Sequence, residues 1–360
     1  MLNRSIFLTD VLDYYKLTMS QFQFFYSPHV ITEFRFQNRG SEDLSITFDE
    51  LKDSVAYYQN LEFTKDELAF LEGQGFKAEY LEALTTLSLP DVKIENGEII
   101  TNGIWWQTTF WETIILSEVQ RIYVDKQNLD LEAEMAKGSD FIKGVKQFLI
   151  QNPDFKLGEM GLRRRFSSEF QDLLVSEIKD QIIGTSNVHL AIKYGVPALG
   201  TYAHEMPMVY TALDPVNGEE TFLNNWQDFY GDELSVTLPD TYTTKAYFEK
   251  IPFGTWSKFK TFRIDSGDPI EAGEFILNIF KENKLDPQTK TLLFSDSLTM
   301  EKSKRIFNHF KDRINLVFGI GTHLTNSFSC MAPINIVMKA SEANGIKTFK
   351  ITDSKGKRFN

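Results

Sequence analysis

The chain has 360 residues, 42% hydrophobic and 24% charged, an ordinary globular composition with enough apolar content for one large core and a smaller domain. Its formal net charge of −12 argues against a protein that tracks a nucleic-acid backbone, which needs a surplus of Lys and Arg on the binding face. No window approaches the ~18 uncharged apolar residues of a membrane span, and MLNRSIFLTD carries an acidic residue where a signal peptide has its apolar stretch, so a cytoplasmic protein without a membrane partner is expected.

From the N-terminus, LTDVLDYYKLTMSQFQFFY (8–26) reads as a helix behind a Thr-Asp cap, followed by a strand, ITEFRFQNR (31–39). TKDELAFLEGQG opens on a capping pattern and ends at glycines, as a short helix does. Asn96-Gly97 marks a turn between strand-like segments, and a long apolar helix is expected from about Phe110 to Val124. From about residue 155, short β-like runs each end in a small or charged cluster: FKLGEMGLRRR, DQIIGTSNVHL, VPALGTYAHEM, LSVTLPDTYTT, TFRIDSGDP, KTLLFSDSL, INLVFGIGTHL and INIVMKA. Alternating with helices, they predict an α/β fold, an irregular (β/α) barrel whose chemistry lies at the C-terminal strand ends; a doubly wound open sheet gives a similar alternation. The expected organisation is an N-terminal α+β domain over 1–140, joined by 335–360, and a barrel-like catalytic domain over 141–334. The single cysteine, Cys330, excludes an intramolecular disulfide and is expected as a buried thiol.

The strand-end clusters carry the chemistry. VFGIGTHLTN sets Gly319, Gly321 and Thr322 between a strand and a helix, where backbone N–H groups can receive a phosphate or simply form a tight turn. RIDSGDP gathers Arg263, Asp265 and Asp268, suited to sugar hydroxyls or a hydrated magnesium, or else to capping a helix at Pro269. Asp296 in FSDSL and Asp240 in LPDTYTT repeat the theme. Arg163, Arg164 and Arg165 form either a solvated run or an anion site. His204 follows small residues at another strand end, and a neutral imidazole is a competent nucleophile toward phosphorus.

In this order, DYYK, EFRFQNRG, GEMGLRRRFS, IIGTSNVHLA, GTYAHEM, LPDTYTT, RIDSGDP, FSDSLT and FGIGTHLTN resemble the nicotinate phosphoribosyltransferase family over nearly the whole chain. The resemblance implies an enzyme that joins nicotinate to phosphoribosyl pyrophosphate, giving nicotinate mononucleotide and pyrophosphate in NAD biosynthesis, coupled to ATP and with magnesium. It further implies that His204 is the phosphate acceptor with Asp240 orienting it, that Asp265 and Asp268 hold the ribose and metal region with Arg263 and Asp296 nearby, and that Gly319, Gly321 and Thr322 receive the 5′-phosphate. Arg163 would grip the substrate carboxylate, and Tyr15 would stack on the pyridine ring from the partner subunit of a homodimer with shared active sites. Ser186 stands where the related nicotinamide enzyme has Asp, which favours an acid substrate because a hydroxyl can donate to its carboxylate. Met160 departs from the Phe of many relatives as second ring wall, and the family usually continues past ITDSKGK, whereas this chain stops at Asn360. The rival readings are a nicotinamide or quinolinate phosphoribosyltransferase and a noncatalytic sensor of phosphoribosyl pyrophosphate.

Overall fold

The computed structural model describes residues 4–354, 358 and 359; the last three residues of ITDSKGK and Asn360 lie outside them. The turn Asn96-Gly97 takes positive φ at both residues, 51° and 83°, as a two-residue hairpin matched to strand twist requires. It joins β2 (Val92–Glu95) to β3 (Glu98–Ile104). β3 pairs antiparallel with β1 (Ile31–Asn38), setting Phe34 opposite Thr101. β10 (Ile336–Ala343) and β11 (Ile346–Lys347) complete a five-stranded antiparallel sheet of order β11-β10-β1-β3-β2.

The second sheet is parallel, with order β5-β4-β9-β8-β7-β6. Its strands are β4 (Leu157–Glu159), β5 (Gly184–Thr185), β6 (Val236–Thr237), β7 (Thr261–Ile264), β8 (Thr291–Phe294) and β9 (Asn315–Ile320). Helices connect them, and the sheet curls into an irregular half-barrel. Two of the eight strand candidates behave differently. VPALG gives only a bridge, Thr185 to Ala198, because Pro197 lacks an N–H and Gly200 turns the chain away. INIVMKA forms β10 in the antiparallel sheet. Its alternating burial, with Ile336, Met338 and Ala340 inward, suits a sheet covered on one face, whereas the buried run Leu292, Leu293 and Phe294 of β8 suits one covered on both.

Several expected elements are shifted in place. Residues 8–10 form a single 3-10 turn and the helix proper is Tyr14–Tyr26, because Asp10 is drawn into an ion pair with Arg165 instead of a cap. Thr64 and Glu67 form the reciprocal capping box of the helix Lys65–Gly73, and the long apolar helix is Trp111–Asp125. A 21-residue helix, Leu131–Gln151, runs through residue 140. Cys330 is exposed, correcting the expectation of a buried thiol; it lies in the bend after Phe328 and Ser329, outside any strand. No helix among the described residues is long and apolar enough to cross a membrane.

Candidate active site

His204 is the residue before the helix Glu205–Leu213 and is 5% exposed. Its Nε2 lies 2.7 Å from Asp240 Oδ1, just past β6, and its Nδ1 lies 3.8 Å from Asp265 Oδ2, just past β7. Burial first, with the positive charge of Lys350 adding, holds the ring below the ordinary histidine value against the opposing pull of Asp240 and Asp265. Burial alone would raise the Asp240 carboxyl, but its pairing with His204, to which the neutral ring contributes a hydrogen bond, and the charge of Lys350 hold it below the ordinary carboxylate value. A neutral ring beside an ionised carboxylate places the proton on Nε2, donating to Asp240, and leaves the Nδ1 lone pair uncommitted. Ser266 donates to the other Asp240 oxygen and fixes the carboxylate plane. Arg263, on β7, donates to Asp265 at 3.0 Å and to Ser295, and Ser295 in turn donates to Asp265. A cavity of about 250 Å³ lined by Thr244, Ser266, Gly267, Asp268 and Phe275 opens beside this group.

The segment after β11, which sequence reasoning assigned no role, clasps these loops. Ile351 and Thr352 donate backbone N–H groups to Thr241 O, Asp353 accepts from the backbone and hydroxyl of Thr244, and Ser354 accepts from Gly267 N. It also carries Lys350 to the His204–Asp240 pair.

A second group lies at the ends of β4 and β5. The 3-10 turn Leu162–Arg164 brings Arg163 Nε to 3.2 Å from Asp13 Oδ2, and Ser186 donates to Asp13 Oδ1. The Arg163 guanidinium lies 5.6 Å from the centre of the Tyr15 ring of its own chain. Tyr15 therefore needs no partner subunit to reach Arg163, which corrects the expectation of a ring contributed by a neighbour; an antiparallel bridge between Asp13 and Asn187 ties the two segments together. Met160 folds over Gly319, where a Cβ would meet its Sδ at 2.6 Å, and a Cβ on Gly321 would meet Met160 O at 2.7 Å. Both glycines thus permit the close approach of β4 to β9. Thr322 begins a five-residue helix braced by Thr325, which donates to Gly161 O.

Beneath Arg163 runs a buried ionic cluster. Lys16 Nζ lies 2.6 Å from both Glu112 and Glu205, Lys339 Nζ 2.7 Å from Glu112, and Arg163 Nη1 3.8 Å from Glu112. Glu205, also bonded by Trp105 and Thr109, is a structural anchor for the helix that begins beside His204. The arginine triplet divides accordingly. Arg165 is buried against Asp10, while Arg164 is pushed down to about 10 by burial and by the charges of Arg163 and Arg39, against the opposing charge of Asp296.

Asp268 takes the helix-cap alternative: its Oδ1 accepts from Ile270 N and Glu271 N, and the residue is exposed. Asp296 accepts from Ser297 and is half-buried. Among the described residues no three His, Cys, Asp or Glu side chains are arranged to hold a metal ion. Such a donor set does not make a closed cage, but it fits magnesium, which usually binds through one or two carboxylates and the substrate's own phosphate oxygens. Asp265 is the better placed of the two expected ligands. Of the other four histidines, His309 is held by Glu274, His189 stacks on Phe7, His323 meets the edge of Phe141, and His29 lies exposed in a turn.

Comparison with known proteins agrees with this geometry. Residues 155–360 match the model of the nicotinate phosphoribosyltransferase family, and residues 11–120 match its N-terminal domain. The nicotinate phosphoribosyltransferase of Yersinia enterocolitica is 35% identical, the match covering 97% of this chain and 92% of the relative. The crystal structure of the Vibrio cholerae enzyme superimposes with a TM-score of 0.90 at 27% identity, covering 98% of this chain and 90% of that one. The Porphyromonas gingivalis enzyme gives 0.87 at 28%, covering 98% and 95%. The chain belongs to the nicotinate phosphoribosyltransferase family, enzymes of pyridine nucleotide biosynthesis.

Proposed function

We propose that this nicotinate phosphoribosyltransferase couples its reaction to ATP through phosphorylation of His204. The carrying observation is the neutral ring with Nε2 engaged by Asp240 and Nδ1 uncommitted. In the coupling step Nδ1 bonds to the γ-phosphorus of ATP while the bond from that phosphorus to the bridging oxygen breaks and its electron pair leaves on ADP. Asp240 offsets the positive charge that appears on the ring. Water later takes the phosphoryl group as inorganic phosphate and the ring returns to neutral. Asp265 and Lys350, on either side, suit a site that must approach a polyanion without binding it permanently.

In the glycosyl step the ring nitrogen of nicotinate bonds to ribose C1 as the bond to pyrophosphate breaks, the electron pair leaving on pyrophosphate. No proton is exchanged at the ring nitrogen. Arg163 and Ser186 receive the substrate carboxylate, Tyr15 and Met160 cover the ring faces, and Arg263 and Asp265 orient the ribose. Backbone groups at Gly319, Gly321 and Thr322 receive the 5′-phosphate. The repulsion of Arg164 by Arg163 and Arg39, only partly offset by Asp296, suits an anionic substrate nearby. Bound magnesium, held in part by Asp265, would neutralise the departing diphosphate. A homodimer in the cytoplasm belongs to the same reading and rests on the family.

The test is a nucleotide-forming assay offering nicotinate, nicotinamide and quinolinate in parallel, with and without Mg-ATP. Nicotinate mononucleotide is expected, its formation stimulated by ATP, with an acid-labile phosphate on the protein by intact mass. His204→Ala is expected to lose both the label and the stimulation while retaining slow ATP-independent transfer. Label retained in the variant would assign the phosphate to another residue.

A further inference from the structure

Asp13 precedes the helix Tyr14–Tyr26, where an aspartate ordinarily accepts from the helix's own N–H groups, yet its side chain makes no such bond. Instead the carboxylate turns toward Arg163 and Ser186, the two groups read above as the receptor for the substrate carboxylate. It is 1% exposed, and Oδ2, though close to Arg163, accepts no hydrogen bond among the described residues. The Tyr15 hydroxyl beside it is also buried without a partner. An anionic side chain thus occupies the anion receptor, its Oδ2 held by the charge of Arg163 but without a hydrogen bond.

We infer that Asp13 takes up one proton when nicotinate binds and then donates its carboxyl O–H to the substrate carboxylate, so that a residue of the empty site becomes part of substrate recognition. The inference rests on the assignment of Arg163 and Ser186 to that carboxylate. Charge balance supports it. At the half-buried Arg163 the Asp13 carboxylate and an incoming carboxylate would share one guanidinium, with Glu112 already 3.8 Å from it. Two carboxylates held against one another at that group repel, and the repulsion is relieved when one of them takes a proton. Lys16, Lys339 and Arg163 hold Glu112 ionised despite its burial. Asp13, by contrast, is raised by burial and by the charge of Glu112, against Arg163, the Ser186 hydrogen bond and Lys16. The other titratable neighbours are Tyr15, whose burial keeps it protonated, and Glu159, itself raised by burial. Of the two carboxylates that face Arg163, Asp13 is the one pushed toward taking a proton, while Glu112 is held ionised. Nicotinamide brings no charge and imposes no such requirement.

The experiment is steady-state kinetics of the full enzyme against pH, with phosphoribosyl pyrophosphate and Mg-ATP saturating and nicotinate varied. Wild type is expected to show a KM for nicotinate that rises about tenfold per pH unit on the alkaline side of the Asp13 midpoint, without a matching slope in kcat. Asp13→Asn keeps the shape and removes the titration, so its KM should be flat over the same range. Ser186→Ala removes a hydrogen bond that favours the ionised form, and the wild-type midpoint should move to higher pH; this variant decides the matter if Asp13→Asn does not fold. Equal KM slopes in wild type and Asp13→Asn, or an unmoved midpoint in Ser186→Ala, would overturn the inference while leaving nicotinate as the substrate. Absence of nicotinate turnover by wild type at every pH would instead overturn the functional reading beneath it.

Discussion

At His204, protonation and nucleophilicity are set by opposing forces from named neighbours. Burial and Lys350 push the ring toward neutrality, while Asp240 and Asp265 pull it back. The folded-state value lies below the unfolded one, so the neutral buried ring adds stability above the unfolded value, and that stability is lost as pH falls through the folded one. Asp240 acts in the same direction, because its depressed value stabilises the fold above the usual carboxylate range and fails in acid. Phosphorylation should therefore be flat near neutrality and decline only below the ordinary histidine value. Asp240→Asn keeps an acceptor for Nε2 but removes the charge that offsets the phosphorylated ring. Its rate of label formation should fall roughly 10- to 100-fold, about 1.4 to 2.7 kcal/mol, and the acid limb should move to still lower pH. Rapid-quench labelling from about pH 5.5 to about pH 8 checks both parts. An acid limb moving upward would mean that Asp240 does not govern the ring.

At the scale of elements, what the chain revealed in advance were strands whose apolar runs end in polar clusters: β7 into Arg263 and Asp265, β8 into Asp296, β9 into Gly319 and Gly321. Even β5 and β6, two residues each, were placed by the clusters that follow them. β10 counts among the strand-end runs and also, within 335–360, with the N-terminal domain; its pairing with β1 fits the period two of Ile336, Met338 and Ala340, the pattern of a sheet covered on one face. The contact of Asp13 with Ser186 spans 173 positions, and nothing local to either residue announces it. The clasp after β11 was missed for the same reason: Asp353 reads as a turn residue, and its value lies in the Thr244 backbone 109 positions away. Asp353→Ala removes the acceptor of that backbone and of the Thr244 hydroxyl, at about 1 to 2 kcal/mol. Because the Asp240 loop lies between the two, kcat/KM should fall about tenfold while Tm drops only a few degrees. A fall in Tm without loss of activity would make the clasp purely structural.

Across the whole molecule, the two sheets meet at a buried charge cluster as well as at an apolar core. Lys16 comes from the helix Tyr14–Tyr26, Glu112 from the helix Trp111–Asp125, Glu205 from the helix that begins beside His204, and Lys339 from β10 of the antiparallel sheet. Lys16 is completely buried, and its attraction to Glu112 and Glu205 outweighs the burial that would otherwise discharge it. Such a site contributes little net stability compared with an apolar replacement of the whole set, but removing one partner strands the others at a cost of about 3 to 5 kcal/mol. Lys16→Met should accordingly lose roughly that much in urea unfolding, since two carboxylates are left facing a thioether. Adding Glu205→Gln neutralises one of them while Trp105, Thr109 and Gln23 remain to bond the amide's oxygen or be rearranged around it, so the double variant should recover part of the loss. The coupling energy from the cycle of the two single variants and the double one is the quantity to read. Strictly additive effects would show that Lys16 and Glu205 are neighbours without energetic linkage, and that the apolar core alone holds the helix carrying His204 against the N-terminal segment.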